Sequence, residues 1–152
     1  MGSTLHGAGI AAVGFYLPRY AIAAEEYRQG SGHPAAEGIE ERSVAGFDED
    51  PITMAVEAGE RAMTAARARA VDVLEIATSG TVGGGGLVAE ALGLDPANAR
   101  DVLGSPDAGE TALAGASDVA TKEGTSTLVI ASDAPSTDPH APEGDPYGAA
   151  AV

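Results

Sequence analysis

Three places in this chain carry residue types that could do chemistry. The first is Ser105-Pro106-Asp107, inside a run from Asp101 to Leu113 that reads as strand, tight turn and helix start. A serine hydroxyl becomes a nucleophile only when a neighbouring base takes its proton, and nothing near Ser105 in the sequence supplies one. The same three residues suit the opening of a helix: Ser105 as N-cap, Pro106 at the first helical position, Asp107 matched to the dipole. The second place is Gly83 to Gly86, a flexible run before a helix that could cradle a phosphate. It lacks the lysine of a P-loop and the spacing of a dinucleotide fingerprint, so a mobile turn is the better reading. The third is the acidic stretch Asp133, Asp138, Glu143 and Asp145 beside His140. Loose cation binding is conceivable there, but the residues lack a calcium-loop pattern and read as a solvated loop. His6, His33 and His140 are far apart in loop-like contexts, and no helical histidine pair points to a metal.

Composition narrows the chemistry further. There is no cysteine, which excludes disulfides, thiolate zinc sites and thiol nucleophiles. Twenty-three Asp and Glu face eight Lys and Arg, for a net charge of -15, and Lys122 is the single lysine. Such a surface repels nucleic-acid phosphates and anionic membranes, so neither is an expected partner. The acids are scattered through amphipathic segments rather than gathered in a tail. With four Tyr, two Phe and no Trp, the chain reads as a cytoplasmic protein adapted to high salt. Carboxylates keep its surface soluble where ions screen repulsion, and salt strengthens apolar burial so that small core residues suffice.

At 152 residues the chain fits one domain. Residues 1–8 read as a leader or tag-like segment without the features of a signal peptide, and no apolar run reaches the length of a membrane helix. From residue 9 the pattern alternates between strands and helices. Gly9 to Tyr16 predicts a first strand, Ala24 to Gln29 a short helix, and Ile39 to Val44 another short element. Asp50-Pro51 is a strong helix start, and the three-and-four spacing of Ile52, Ala55, Val56, Gly59, Ala62, Met63 and Ala66 carries that helix to about Arg69. Val71 to Thr78 suits a buried strand, Leu87 to Leu92 a helix closed by Gly93, and Asp101 to Gly104 a short strand. Ser105 opens a helix that continues through Lys122 to a Gly124 cap, and Thr127 to Ser132 is the clearest buried strand. Gly148 to Val152 looks like the opening of a further strand, apparently truncated. The expected fold class is α/β, with a mostly parallel or mixed five-stranded sheet covered by helices.

These segments carry an ordered resemblance. Val13 to Tyr20, with its glycine-rich strand ending in Tyr16-Leu-Pro-Arg19, resembles the start of archaeal-type hydroxymethylglutaryl-CoA synthases. Glu40 to Val44, Asp48 to Asp50, Ala55 to Ala58, Leu87 to Gly93, Ala108 to Leu113 and Leu128 to Ala134 continue the likeness in order. The resemblance implies a thiolase fold, with residues 9–152 as its N-terminal half-domain, and coenzyme A esters as the only cofactor it suggests.

It also implies what is missing. The family's nucleophilic cysteine falls at Pro106, or at Ser105 if the turn shifts by one, and Asp107 places negative charge where a thiolate would want positive potential. The family's general acid/base glutamate falls at Gly80; Glu75 lies upstream within the strand and cannot simply replace it. The family's catalytic histidine belongs to the other half. No catalytic residue is therefore expected: Gly80, Ser105, Pro106 and Asp107 are vacated positions. The implied function is a non-catalytic subunit or scaffold of acyl-CoA metabolism, in a homo- or hetero-oligomer with a thiolase-fold or acyl-CoA-binding protein. The alternative is a fragment of an active synthase condensing acetyl-CoA with acetoacetyl-CoA, and a standalone acyl-CoA-binding module is a third reading.

Overall fold

A computed structural model describes residues 7–32, 38–134 and 149–152. In chain order its elements are β1 (Tyr20–Ala23), α1 (Ala24–Ser31), β2 (Glu41–Val44), α2 (Pro51–Ala66) and β3 (Val73–Thr78). They continue with α3 (Gly85–Ala91), a short 3-10 turn (Pro96–Asn98), β4 (Ala99–Leu103), α4 (Ala108–Glu123), β5 (Thr127–Asp133) and β6 (Ala150–Ala151). Four strands form a mixed sheet in the order β4-β3-β5-β6, with β3 parallel to both β4 and β5 and β6 antiparallel to β5. β1 and β2 form a separate antiparallel pair, and β1 was not legible as a strand in the sequence.

The sheet is covered on both faces, as α/β architecture requires. On one side Met54, Ala55 and Ala58 of α2 and Val88 and Ala89 of α3 pack with Leu74, Ile76 and Ile130. On the other, Ala108 and Ala112 of α4 pack with Ala77, Val102, Val129 and Ala131. Nine of the fifteen buried apolar residues described are alanines, so the helices ride close to the strands. A Cβ at Gly109 would lie 3.2 Å from the Ala131 methyl.

Local rules explain most boundaries. Asp50 caps α2 in a reciprocal box: Thr53 N–H donates to Asp50 Oδ1 (2.7 Å) and Asp50 N–H donates to Thr53 Oγ1 (2.8 Å). The helix ends at Ala66, three residues before the spacing predicts, because Arg67 turns left-handed (φ 55°) and Ala68 N–H reaches back to the Met63 carbonyl (2.9 Å). That early stop lets Asp72 reach Ser126, whose N–H and hydroxyl both donate to its carboxylate (2.8 and 2.7 Å). Gly93 and Gly124 do close α3 and α4, each at φ 70°. Among the described residues no helix is long and apolar enough to cross a membrane.

The predicted strand from Gly9 to Tyr16 is corrected. Among the described residues it makes no ladder and joins the sheet through one antiparallel bridge, Tyr16 with Ala151 (2.8 and 3.0 Å). The strand beside it, β6, covers Ala150 and Ala151.

Candidate functional site at the strand ends

The parallel strands β3, β4 and β5 deliver three loops to one edge of the sheet, where open α/β sheets place their ligands. β3 runs into Ser79-Gly80, β4 into the turn 104–107, and β5 ends at Asp133. Gly104 N–H donates to the carbonyls of Thr78 (3.2 Å) and Gly80 (2.9 Å), so Gly80 and the Ser105 turn sit side by side. The structure thus brings together the positions that the sequence leaves far apart.

Their chemistry is spoken for by the fold. Asp133 Oδ1 accepts from the hydroxyls of Thr78 (2.6 Å) and Ser79 (2.9 Å) and from Ser79 N–H (3.0 Å), tying the end of β5 to the end of β3. Thr78 Oγ1 in turn accepts from Gly80 N–H (3.1 Å). Ser105 Oγ accepts from Asp107 N–H (3.1 Å), and its carbonyl accepts from Ala108 N–H (3.0 Å). Ser105, Pro106 and Asp107 therefore form a turn ahead of the helix. This corrects the expected cap: the N-cap of α4 is Asp107, which makes no side-chain cap bond, and Pro106 lies outside the helix. The β4-to-α4 connection needs the extra turn because Gly104 is left-handed (φ 80°) and pinned to Thr78 and Gly80. Glu75 sits opposite Arg100 on the neighbouring strand (3.9 Å), held within the ladder rather than at its end.

The glycine run is held by a side chain of β4. Asp101 Oδ1 accepts from Gly84 N–H (3.1 Å) and Gly85 N–H (2.9 Å), so a carboxylate of the chain itself fills the place a phosphate would take. A Cβ at Gly83 would overlap that carboxylate, and this requires the glycine. Of the acidic stretch only Asp133 is described; Asp138, Glu143, Asp145, His6, His33 and His140 lie outside the described residues. Among the described residues no group of three His, Asp or Glu could hold a metal.

Sequence reasoning missed a second concavity. A cleft of about 350 Å³ is lined by Tyr16, Arg19, Tyr20, Asp48, Glu49, Thr53, Met54 and Glu57. The Tyr16 phenol donates to Glu49 Oε1, and Glu49 Oε2 accepts from Gly46 N–H (2.6 Å). Arg61 covers the Tyr16 ring at 5.2 Å and donates to the Phe15 carbonyl (2.8 Å). The bond to Glu49 pushes the Tyr16 phenol above its ordinary value, and the same bond, with Gly46 N–H, holds Glu49 below its own. Both Tyr16-Leu-Pro-Arg19 and Asp48-Glu-Asp50 are visible as motifs, but a separation of 33 residues gives no sign that they meet.

No protein-family model and no curated protein matches the chain by sequence. Solved structures do match by shape. The chain is similar to 3-oxoacyl-(acyl carrier protein) synthase III, FabH, of Pseudomonas aeruginosa PAO1, with a TM-score of 0.82 and 23% identity over 95% of this chain and 50% of that one. It is similar to the priming beta-ketosynthase of the R1128 polyketide pathway (TM-score 0.79, 25% identity, 93% and 47% covered). It is also similar to OleA of Xanthomonas campestris (TM-score 0.72, 16% identity, 85% and 44% covered). The fold is thiolase-like, of the α/β class with a mixed sheet. The chain spans about half the length of each of these structures.

Proposed function

We propose that the chain is a non-catalytic thiolase-like subunit of acyl-CoA metabolism that works in an assembly with a thiolase-fold or acyl-CoA-binding partner, in the cytoplasm of a salt-accumulating cell. One observation carries the reading: Gly80 and the Ser105 turn lie against each other, joined by the Gly104 N–H to Gly80 carbonyl bond (2.9 Å), and Gly80, Ser105 and Pro106 offer neither a thiol nor a carboxylate. The carboxylate nearest in bonding, Asp133, is committed to Thr78 and Ser79. Acyl transfer to an enzyme needs an activated nucleophile, and the Ser105 hydroxyl has a backbone N–H as its recorded partner, which supplies no base. The acids Asp107 and Glu110 at the start of α4 further disfavour an anionic nucleophile or enolate there.

The second reading, a fragment of a hydroxymethylglutaryl-CoA synthase-type enzyme, shares the fold and differs in outcome. The purified chain incubated with acetyl-CoA and acetoacetyl-CoA is expected to give no condensation product. Turnover that disappears in Ser105→Ala would overturn the subunit reading. Affinity capture from the native host is expected to bring down a cysteine-bearing thiolase-fold protein. Calorimetry with coenzyme A esters in high salt separates a subunit that binds them from one that does not.

A further inference from the structure

One serine at the strand ends has the partner that Ser105 lacks. Ser79 follows β3 directly and is exposed. Its hydroxyl donates to Asp133 Oδ1 at 2.9 Å, within the reach over which a carboxylate takes the proton of an attacking oxygen. The carboxylate is itself held. The Thr78 hydroxyl donates to the same oxygen at 2.6 Å, and Ser79 N–H reaches both carboxylate oxygens (3.0 and 3.3 Å). A nucleophile, a base in hydrogen-bond contact with it and a third group orienting the base are together the signature of an activated hydroxyl. Thr78, the orienting group, is buried, so the carboxylate is fixed from within the sheet while Ser79 stays open to solvent.

Other serines do not combine these features. The Ser132 hydroxyl is buried and donates to the Pro51 carbonyl (2.6 Å), which cannot act as a base. Ser126 also donates to an aspartate, Asp72 (2.7 Å), but at the start of β5, the end of the sheet away from the ligand edge. Ser79 stands at that edge, and its loop is fixed on both sides. Asp133 holds it through Ser79 itself, and Gly104 N–H holds the next carbonyl, that of Gly80 (2.9 Å). Gly80 has no side chain to stand in the way of an approaching acyl group.

We propose that Ser79 is an acyl-accepting site, which takes one acyl group from a coenzyme A thioester and holds it as an oxygen ester. The bond from Ser79 Oγ to the carbonyl carbon forms, and the bond from that carbon to sulfur breaks. The serine proton passes to Asp133 and from there to the departing thiolate, which leaves as free coenzyme A. The coenzyme A ester as donor rests on the subunit reading above; the serine–aspartate pair rests on geometry alone. The bond that withholds Asp133 from the Ser105 turn is the one that serves Ser79. Condensation is still absent: a single acyl group is held, and no carbon–carbon bond is made.

The test incubates the intact chain in molar KCl with acetyl-CoA and, separately, with p-nitrophenyl acetate, which has no coenzyme A handle. Bound acetyl is read by intact mass and placed by peptide mapping. One acetyl group per chain, on Ser79, is expected from both donors. Asp133→Asn keeps the acceptor oxygen and loses the base, so it should slow labelling at least about a hundredfold while melting close to the unaltered chain. Ser79→Ala should take no label, whereas Ser105→Ala and Ser126→Ala should label as the unaltered chain does. No label, label on another residue, an undiminished rate in Asp133→Asn, or steady acetate release without accumulated label would overturn the proposal. Label from the phenyl ester alone would overturn the coenzyme A donor and leave the pair. Condensation product that disappears in Ser105→Ala would overturn the subunit reading alone. Capture of a thiolase-fold partner by a chain that takes no label would keep the subunit and remove the acyl site.

Discussion

Asp101 is a single side chain that decides what the Gly83–Gly86 run can be. Its carboxylate takes the first two free N–H groups of α3 from outside the helix, and its bulk forbids anything but glycine at position 83. Asp101→Ala should cost about 1–2 kcal/mol in urea unfolding, as losing a helix cap does. Gly83→Ala should also destabilise, but less so when combined with Asp101→Ala, because the obstacle has gone. A double-mutant cycle reads that coupling, and strict additivity would refute the contact. Glu49 gives a pH-dependent counterpart. Its folded value is lowered, so its contribution is present above the ordinary carboxylate value and lost as pH falls through the lowered one. Tyr16 is raised, so its share is present below the ordinary phenol value and lost as pH rises through the raised one. Thermal melts should therefore show Glu49→Gln flattening the decline as pH falls below the ordinary carboxylate value. An unchanged acid limb would remove the Tyr16–Glu49 bond from the account.

At the scale of elements, β3 and β5 are stapled at both ends by aspartate. Asp72 holds the start of β5 through Ser126, and Asp133 holds the end of β3 through Thr78 and Ser79. Helix ends are equally explicit, and one is improvable. Arg67 occupies a left-handed conformation that costs a side-chain-bearing residue roughly 1 kcal/mol, so Arg67→Gly should raise stability by about 0.5–1 kcal/mol in chemical denaturation. A loss would mean that the Arg67 side chain contributes more than its backbone costs. The elements were also where the sequence was most readable. Asp50-Pro51, Gly93 and Gly124 mark helix ends through local chemistry, and Thr127–Ser132 marks a buried strand through apolar content. What stayed hidden depended on distant partners. Gly9–Tyr16 reads as a strand by composition, yet pairing needs a neighbour, and among the described residues it bridges to β6 at Tyr16 and Ala151. Ser105 reads as a cap, yet the bonds from Gly104 to Thr78 and Gly80 move the cap to Asp107. The site was half legible for the same reason: Gly80 and Ser105 could be picked out, but not that one glycine N–H joins them.

For the whole molecule, charge and core size act together. A net charge of -15 repels itself at low ionic strength, while an alanine-dominated core supplies little apolar area per residue. Molar KCl relieves the first and strengthens burial in the second, so the thermal midpoint should climb with KCl concentration. A midpoint indifferent to salt would contradict salt adaptation as the origin of the acidic surface.

The segment Gly9–Tyr16 gives that salt response another side. It leaves Val13 and Phe15 63% and 60% exposed, and apolar side chains held in the open are contacts through which copies of the chain can associate. Carboxylate repulsion opposes that association in dilute buffer, and screening it lowers the colloidal barrier while it firms the fold. Handled alone, the protein should keep longest at an intermediate ionic strength, below the one at which it melts latest.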